Sequence, residues 1–117
     1  MKTILVVDDE ADIRTSVKKI LQKEKYKVET ASNGDDCLKK LKTLKPDLIL
    51  LDIMMPGTPV KIIVDKITNI PIAFFSAVRV SDAEREALLK NKNVKDFIQK
   101  PFDIDDLITR VKKLVKP

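Results

Sequence analysis

The chain has 117 residues, 44% hydrophobic and 35% charged, which is the length and balance of one globular domain able to bury its own core. A single cysteine, Cys37, and no histidine exclude a disulfide framework and Ser-His or Cys-His catalysis, and count against a conventional zinc site. The net charge of +5 raises nucleic acid as a partner, but the lysines fall in ones and twos along nearly every segment with one Tyr and no Trp to stack bases, so direct nucleic-acid binding is not expected.

Thr3-Ile4-Leu5-Val6-Val7-Asp8 is a continuous apolar run closed by an acid, the pattern of a strand buried on both faces of a parallel sheet. No apolar stretch nears the roughly 18 residues of a membrane span, and no signal peptide precedes this strand, so a cytoplasmic, reduced setting is expected. Ile13, Val17, Ile20 and Leu21 recur at helical spacing. Tyr26–Ala31 alternates like a shorter strand nearer the sheet edge. Asn33 is placed to cap a helix carrying Cys37, Leu38, Leu41 and Leu44, which Pro46 stops. Asp47–Asp52 is a second buried strand ending in an acid.

Met54-Met55-Pro56-Gly57 is rich in turn residues. Thr58-Pro59 reads as an N-cap followed by proline at the first helical position, opening a short helix with Val60, Ile63, Val64 and Ile67. Ile70–Ser76 is a third buried strand. Ser81-Asp82-Ala83-Glu84 is a capping box, and Asn93 suits the left-handed position that ends that helix. Val94–Gln99 is the last strand. Asp103 caps a final helix with Ile104, Leu107, Ile108, Val111, Leu114 and Val115 on one face.

Five strand-helix units in strict alternation predict an open, doubly wound α/β fold with a parallel sheet, helices on both sides and right-handed crossovers. Its site should lie beyond the carboxyl ends of the strands, where the winding reverses. Asp8, Asp9 and Glu10, then Asp52, then Ser76-Ala77, then Lys100-Pro101 all fall at such ends. Carboxylates gathered in one pocket repel one another, and a hard divalent cation relieves the repulsion. A carboxylate beside Mg²⁺, a lysine and a hydroxyl is suited to attack phosphorus. Cys37 reads as core.

Ile4–Glu10, Pro46–Gly57, Phe75-Ser76-Ala77 and Asp96–Phe102, in this order, resemble the response-regulator receiver domain of two-component signalling, over the whole chain 1–117. The resemblance implies a flavodoxin-like sheet of strand order 2-1-3-4-5. It implies Asp52 as phosphoacceptor, and Asp8, Asp9, Asp52 and the backbone carbonyl of Met54 as ligands of Mg²⁺, with Mn²⁺ or Ca²⁺ as substitutes. Ser76 and Lys100 would contact the phosphoryl group, with Ala77 as the usual small neighbour and Lys100-Pro101 typically cis. Phe97 would be the switch aromatic, with no hydroxyl at its exposed rotamer.

The partners so implied are a sensor histidine kinase and an output protein or fused effector. A phosphorylation-dependent homodimer would use the surface of the fourth helix, fifth strand and fifth helix, which carries Arg79, Arg85, Lys90, Lys95, Arg110 and Lys113. As a signalling domain rather than an enzyme, it would show only weak self-phosphorylation and autodephosphorylation. Two features depart from the family: only 24 positions separate Asp52 from Ser76, which shortens the third helical region, and Asn93-Val94 replaces the usual Gly-Ala. An aspartate-nucleophile phosphatase would instead want Asp-x-Asp at the first strand and a cap domain. A flavodoxin-like electron carrier would want a hydroxyl- and glycine-rich loop where Asp8-Asp9-Glu10 stands.

Overall fold

The computed structural model describes residues 1–77 and 81–115. Arg79 therefore lies outside the described residues. The elements alternate as the apolar pattern predicts: β1 (Thr3–Val7), α1 (Ala11–Lys23), β2 (Lys27–Ala31), α2 (Gly34–Lys40), β3 (Leu48–Asp52), α3 (Val60–Lys66), β4 (Ile72–Ser76), α4 (Asp82–Leu89), β5 (Val94–Gln99) and α5 (Ile104–Leu114). The strands form one sheet in the order β2-β1-β3-β4-β5. Every pairing is parallel.

Alternate residues of each strand serve opposite faces. Ile4, Val6, Leu48, Leu50, Ala73 and Phe75 meet Val17 and Leu21 of α1 and Leu107 and Val111 of α5. Leu5, Val7, Ile49, Leu51, Ile72 and Phe74 meet Cys37 of α2, Ile63 and Val64 of α3 and Leu88 of α4. Two helices thus cover one face and three the other. The winding reverses between β1 and β3, so the crevice beyond their carboxyl ends is the expected binding place.

Local chemistry sets the helix starts. Asn33 accepts a hydrogen bond from Asp36 N at 2.7 Å, Ser81 from Glu84 N at 3.2 Å, and Asp103 from Asp105 N and Asp106 N at 2.8 and 3.1 Å. Four expectations need correction. α2 ends at Lys40 with Leu41 as its C-cap, so Leu44 and the expected stop at Pro46 lie beyond the helix. Thr58 is not the cap of α3: Pro59 holds that position without a side-chain cap, because the Thr58 hydroxyl instead donates to the Asp35 carboxylate at 2.9 Å. Asn93 does not take the left-handed conformation, which belongs to Lys25 and Asn69 among the described non-glycine residues; its side-chain amide donates to Ile67 O at 3.0 Å and ties the α4–β5 connection to the end of α3. Ile104, placed on the apolar face of α5, is exposed.

The parallel topology also sorts charge. All strands run one way and all helices return, so helix C-termini share the end of the sheet where the strands begin. Lys23, Lys66, Lys112 and Lys113 stand in the last turns of α1, α3 and α5. Asp12, Asp35, Asp36, Asp82, Glu84, Asp105 and Asp106 stand in first turns at the opposite end. Each sign complements the dipole of its helix terminus.

Candidate functional site: an acidic crevice closed by a lysine

The crevice is built by strand ends that buried packing holds in place. Asp8 follows β1 and is fully buried; Asp52 ends β3 with 3% exposure, and Ser76 ends β4 with 5%. Parallel registry sets Asp52 opposite Phe75 and Ser76 opposite Gln99, so the last residues of three neighbouring strands arrive at one level. Lys100 follows β5, and its amide donates to Ser76 O at 2.7 Å. The Lys100–Pro101 peptide is cis.

Asp8 is committed at every polar atom. Its amide donates to Ala31 O at 3.2 Å. One carboxylate oxygen accepts Glu10 N at 2.9 Å, the other accepts Lys100 Nζ at 2.6 Å, and its carbonyl accepts Arg14 Nη1 at 2.6 Å. Asp52 accepts Met54 N through Oδ1 at 3.0 Å. Its Oδ2 lies 3.6 Å from Lys100 Nζ.

The electrostatics follow from crowding in a dry place. Burial is the largest influence on Asp52, whose carboxyl is pushed up to about 6; the Met54 N–H opposes this, Asp8 adds to it, Lys100 opposes it and Asp9 adds to it. Burial by itself would lower the Lys100 pKa. The hydrogen bond that Lys100 donates to Asp8 and the charges of Asp52, Asp8 and Glu10 outweigh it and raise the ammonium above its ordinary value. Carboxylate oxygens of Asp8, Asp9 and Glu10 lie within 4.8 Å of one another. An all-oxygen, like-charged donor set of this kind suits a hard divalent cation.

Of the predicted site residues, Asp8, Asp52 and Lys100 form one contact network, with Ser76 at its edge through the Lys100 amide. Asp9 is exposed beside it, and Met54 lies over Asp52 through its backbone N–H. Ala77 follows Ser76 and is exposed. Phe97 is half-buried: its ring centroid lies 5.2 Å from that of Phe74, and the Arg85 guanidinium sits 4.8 Å above it. Two contributors were not foreseen. Arg14 anchors the Asp8 carbonyl from the first turns of α1, and Thr58–Asp35 ties the loop after β3 to α2. A single Arg in a helix and a lone Thr before a proline give no sequence signal for either.

Comparison with known proteins decides the family. The sequence model for the response regulator receiver domain matches residues 4–112. The chain belongs to the response-regulator receiver family. It is 38% identical to the transcriptional regulatory protein ResD of Bacillus subtilis, over 97% of this chain and 48% of ResD. It is also 38% identical to the alkaline phosphatase synthesis transcriptional regulatory protein PhoP of the same organism, over 98% of this chain and 49% of PhoP.

The receiver chain thus spans about half the length of these curated relatives. Among solved structures it is similar to the response regulator TrrA of Thermotoga maritima in complex with Mg²⁺-BeF, at 37% identity and a TM-score of 0.81 over 97% of this chain and 99% of that one. It is likewise similar to the chemotaxis protein CheY4 of Vibrio cholerae, at 28% identity and a TM-score of 0.86 over 97% and 98%. The family identifies a signalling domain rather than an enzyme. Among the described residues, no helix is long and apolar enough to cross a membrane.

Proposed function

We propose that residues 1–117 form one receiver domain, acting in the cytoplasm, whose Asp52 accepts a phosphoryl group from the phosphohistidine of a sensor histidine kinase. The observation that carries this reading is the buried Asp52 carboxylate 3.6 Å from the Lys100 ammonium, beside a second buried acid. A carboxylate held there forms the new O–P bond through an Asp52 oxygen as the N–P bond to the histidine breaks. Asp8 and Asp9, with Asp52 and the Met54 carbonyl, would hold Mg²⁺, or Mn²⁺ or Ca²⁺ in its place. When bound, the cation neutralises charge on the transferring oxygens.

The remaining work belongs to the chain's own groups. Lys100 moves its charge from Asp8 toward the incoming phosphoryl oxygens. Ser76, at the adjoining strand end, supplies a hydroxyl to the same group, and Ala77 leaves room beside it. The Met54 N–H on Asp52 Oδ1 orients the acceptor so that Oδ2 faces Lys100. Electrostatic positioning of this kind is the main contribution available to phosphoryl transfer. Weak self-phosphorylation from small donors and slow autodephosphorylation follow from the same machinery.

The output runs through Phe97. Movement of Ser76 toward the phosphoryl group lets the Phe97 ring turn further inward, changing its contact with Arg85 and hence the surface of α4, β5 and α5. An output protein, a fused effector or a second receiver would read that change.

The test is intact mass after incubation with Mg²⁺ and a small phosphodonor. We expect one phosphoryl group on the parent, none on Asp52→Asn, and none after chelation. No gain in the parent with Mg²⁺ bound, or an equal gain in Asp52→Asn, overturns the assignment.

A further inference from the structure

The sorting of charge along the strands leaves a basic face at the end opposite the acidic crevice. Beyond the six lysines of helix last turns, which include Lys39 and Lys40 of α2, the segment before β1 and the connections at that end carry Lys2, Lys25, Lys42, Lys45, Lys90 and Lys92, all exposed. Among the described carboxylates at this end, Glu24 pairs with Lys112 at 3.0 Å, Asp47 accepts from Thr3 N at 2.8 Å, and Asp65 of the α3 last turn lies 3.9 Å from Lys61 and lines one cavity with Lys90. The six connection lysines have no ion-pair partner among the described residues. Helix dipoles account for lysines in last turns. They do not account for the density of lysine in the connections beyond them.

We propose that this face docks on the phosphate backbone of duplex DNA, independently of the phosphoacceptor reading of the crevice. Four features select this partner. The cations are lysines, point charges on long flexible stems, which suit contact with successive phosphates rather than bidentate reading of bases. Tyr26, the aromatic at this end, is packed against the core, so no platform is available for stacking unpaired bases, as single strands and most RNA targets require.

The lysines come from separate segments at one end of a molecule whose extents are 35 × 31 × 29 Å, of the order of one duplex turn of about 34 Å. An amphipathic helix lying in a membrane would instead carry its charges on one element, and here the apolar faces of the helices are spent on the sheet. A second copy could offer its acidic end, but it would cover Asp52; a duplex on the basic face leaves the crevice open. Along the sequence these lysines are separated by acids of the other end, which is why their order alone argues against a nucleic-acid footprint.

The experiment uses the full chain, a fluorescent DNA duplex of about 20 base pairs, and anisotropy at about 0.15 M salt. We expect a Kd of about 10 µM that weakens steeply with salt, as release of several counterions requires. Lys42→Glu/Lys45→Glu/Lys92→Glu should weaken binding at least about 10-fold, and the milder Lys→Gln triple should follow in the same direction. Lys18→Glu/Lys19→Glu/Lys61→Glu, of identical net charge, should stay within about twofold of the parent by the same electrostatic account. Equal losses in the two reversed triples reduce the effect to net charge and overturn the proposal. So does the absence of DNA binding, or tighter binding to vesicles of anionic lipid that depends on Lys42, Lys45 and Lys92.

Discussion

Lys100 is bonded to Asp8, not to Asp52: its ammonium lies 2.6 Å from one carboxylate and 3.6 Å from the other. Asp8 is fully buried, and its carboxylate is compensated there by this cation and by the Glu10 amide. The pair therefore stabilises the fold as well as the chemistry. Lys100→Ala should lower stability by about 3 kcal/mol in metal-free buffer, since one partner of a buried pair is left uncompensated. Mg²⁺ at millimolar concentration should recover part of that loss by replacing the missing charge. Urea unfolding with and without Mg²⁺ measures both quantities.

Asp52 predicts a dependence of stability on pH. Its folded-state pKa, about 6, lies above the ordinary 3.8. Between those values the folded protein holds a proton that the unfolded chain has released, so stability falls as pH rises from 4 to above 6. In Asp52→Asn this decline should vanish, leaving the metal-free variant more stable than the parent at pH 7 by about 2 kcal/mol. Thermal melts across that range check the sign, and a parent with a flat profile would refute it.

Gly34 opens α2 where α2 crosses α3. A Cβ added there would stand 2.6 Å from Ile63 Cγ1 and 2.8 Å from its Cδ1. Ala in place of Gly inside a helix ordinarily gains about 1 kcal/mol. Here overpacking should reverse the sign and cost about 1–3 kcal/mol. A double-mutant cycle with Ile63→Ala should show that most of this cost disappears when the isoleucine is shortened.

Asp103 accepts two first-turn amides of α5. Asp103→Ala should cost about 1 kcal/mol, and Asp103→Asn far less, because Asn caps nearly as well. A lowering of the melting temperature by about 4 °C is the expected readout for the alanine variant.

Much of this fold is legible in one dimension. Asp47–Asp52 announces a central strand because every residue of β3 is buried and none needs to be polar until the acid at its end. Asn33, Ser81 and Asp103 announce helix starts because a cap bonds to amides two or three residues away. Thr58 and Asn93 mislead for the complementary reason. Their side chains have partners far along the chain, Asp35 and Ile67, which only the tertiary arrangement supplies. Within the crevice, residue types and strand ends identify Asp8, Asp52, Ser76 and Lys100. That Lys100 rests on Asp8 rather than Asp52, and that Arg14 grips the same loop, depends on ångström-scale placement that no spacing encodes.

The segregation of lysines and carboxylates has a consequence for the molecule as an electrical object. Its excess positive charge and its negative crevice lie at opposite ends of the sheet, so it carries a permanent moment along the strand direction. A phosphoryl group on Asp52 would add charge at the negative pole. Modification would then shrink the net charge while lengthening the moment, and the protein would turn more strongly in the field of a charged neighbour even as it drifted more slowly toward it.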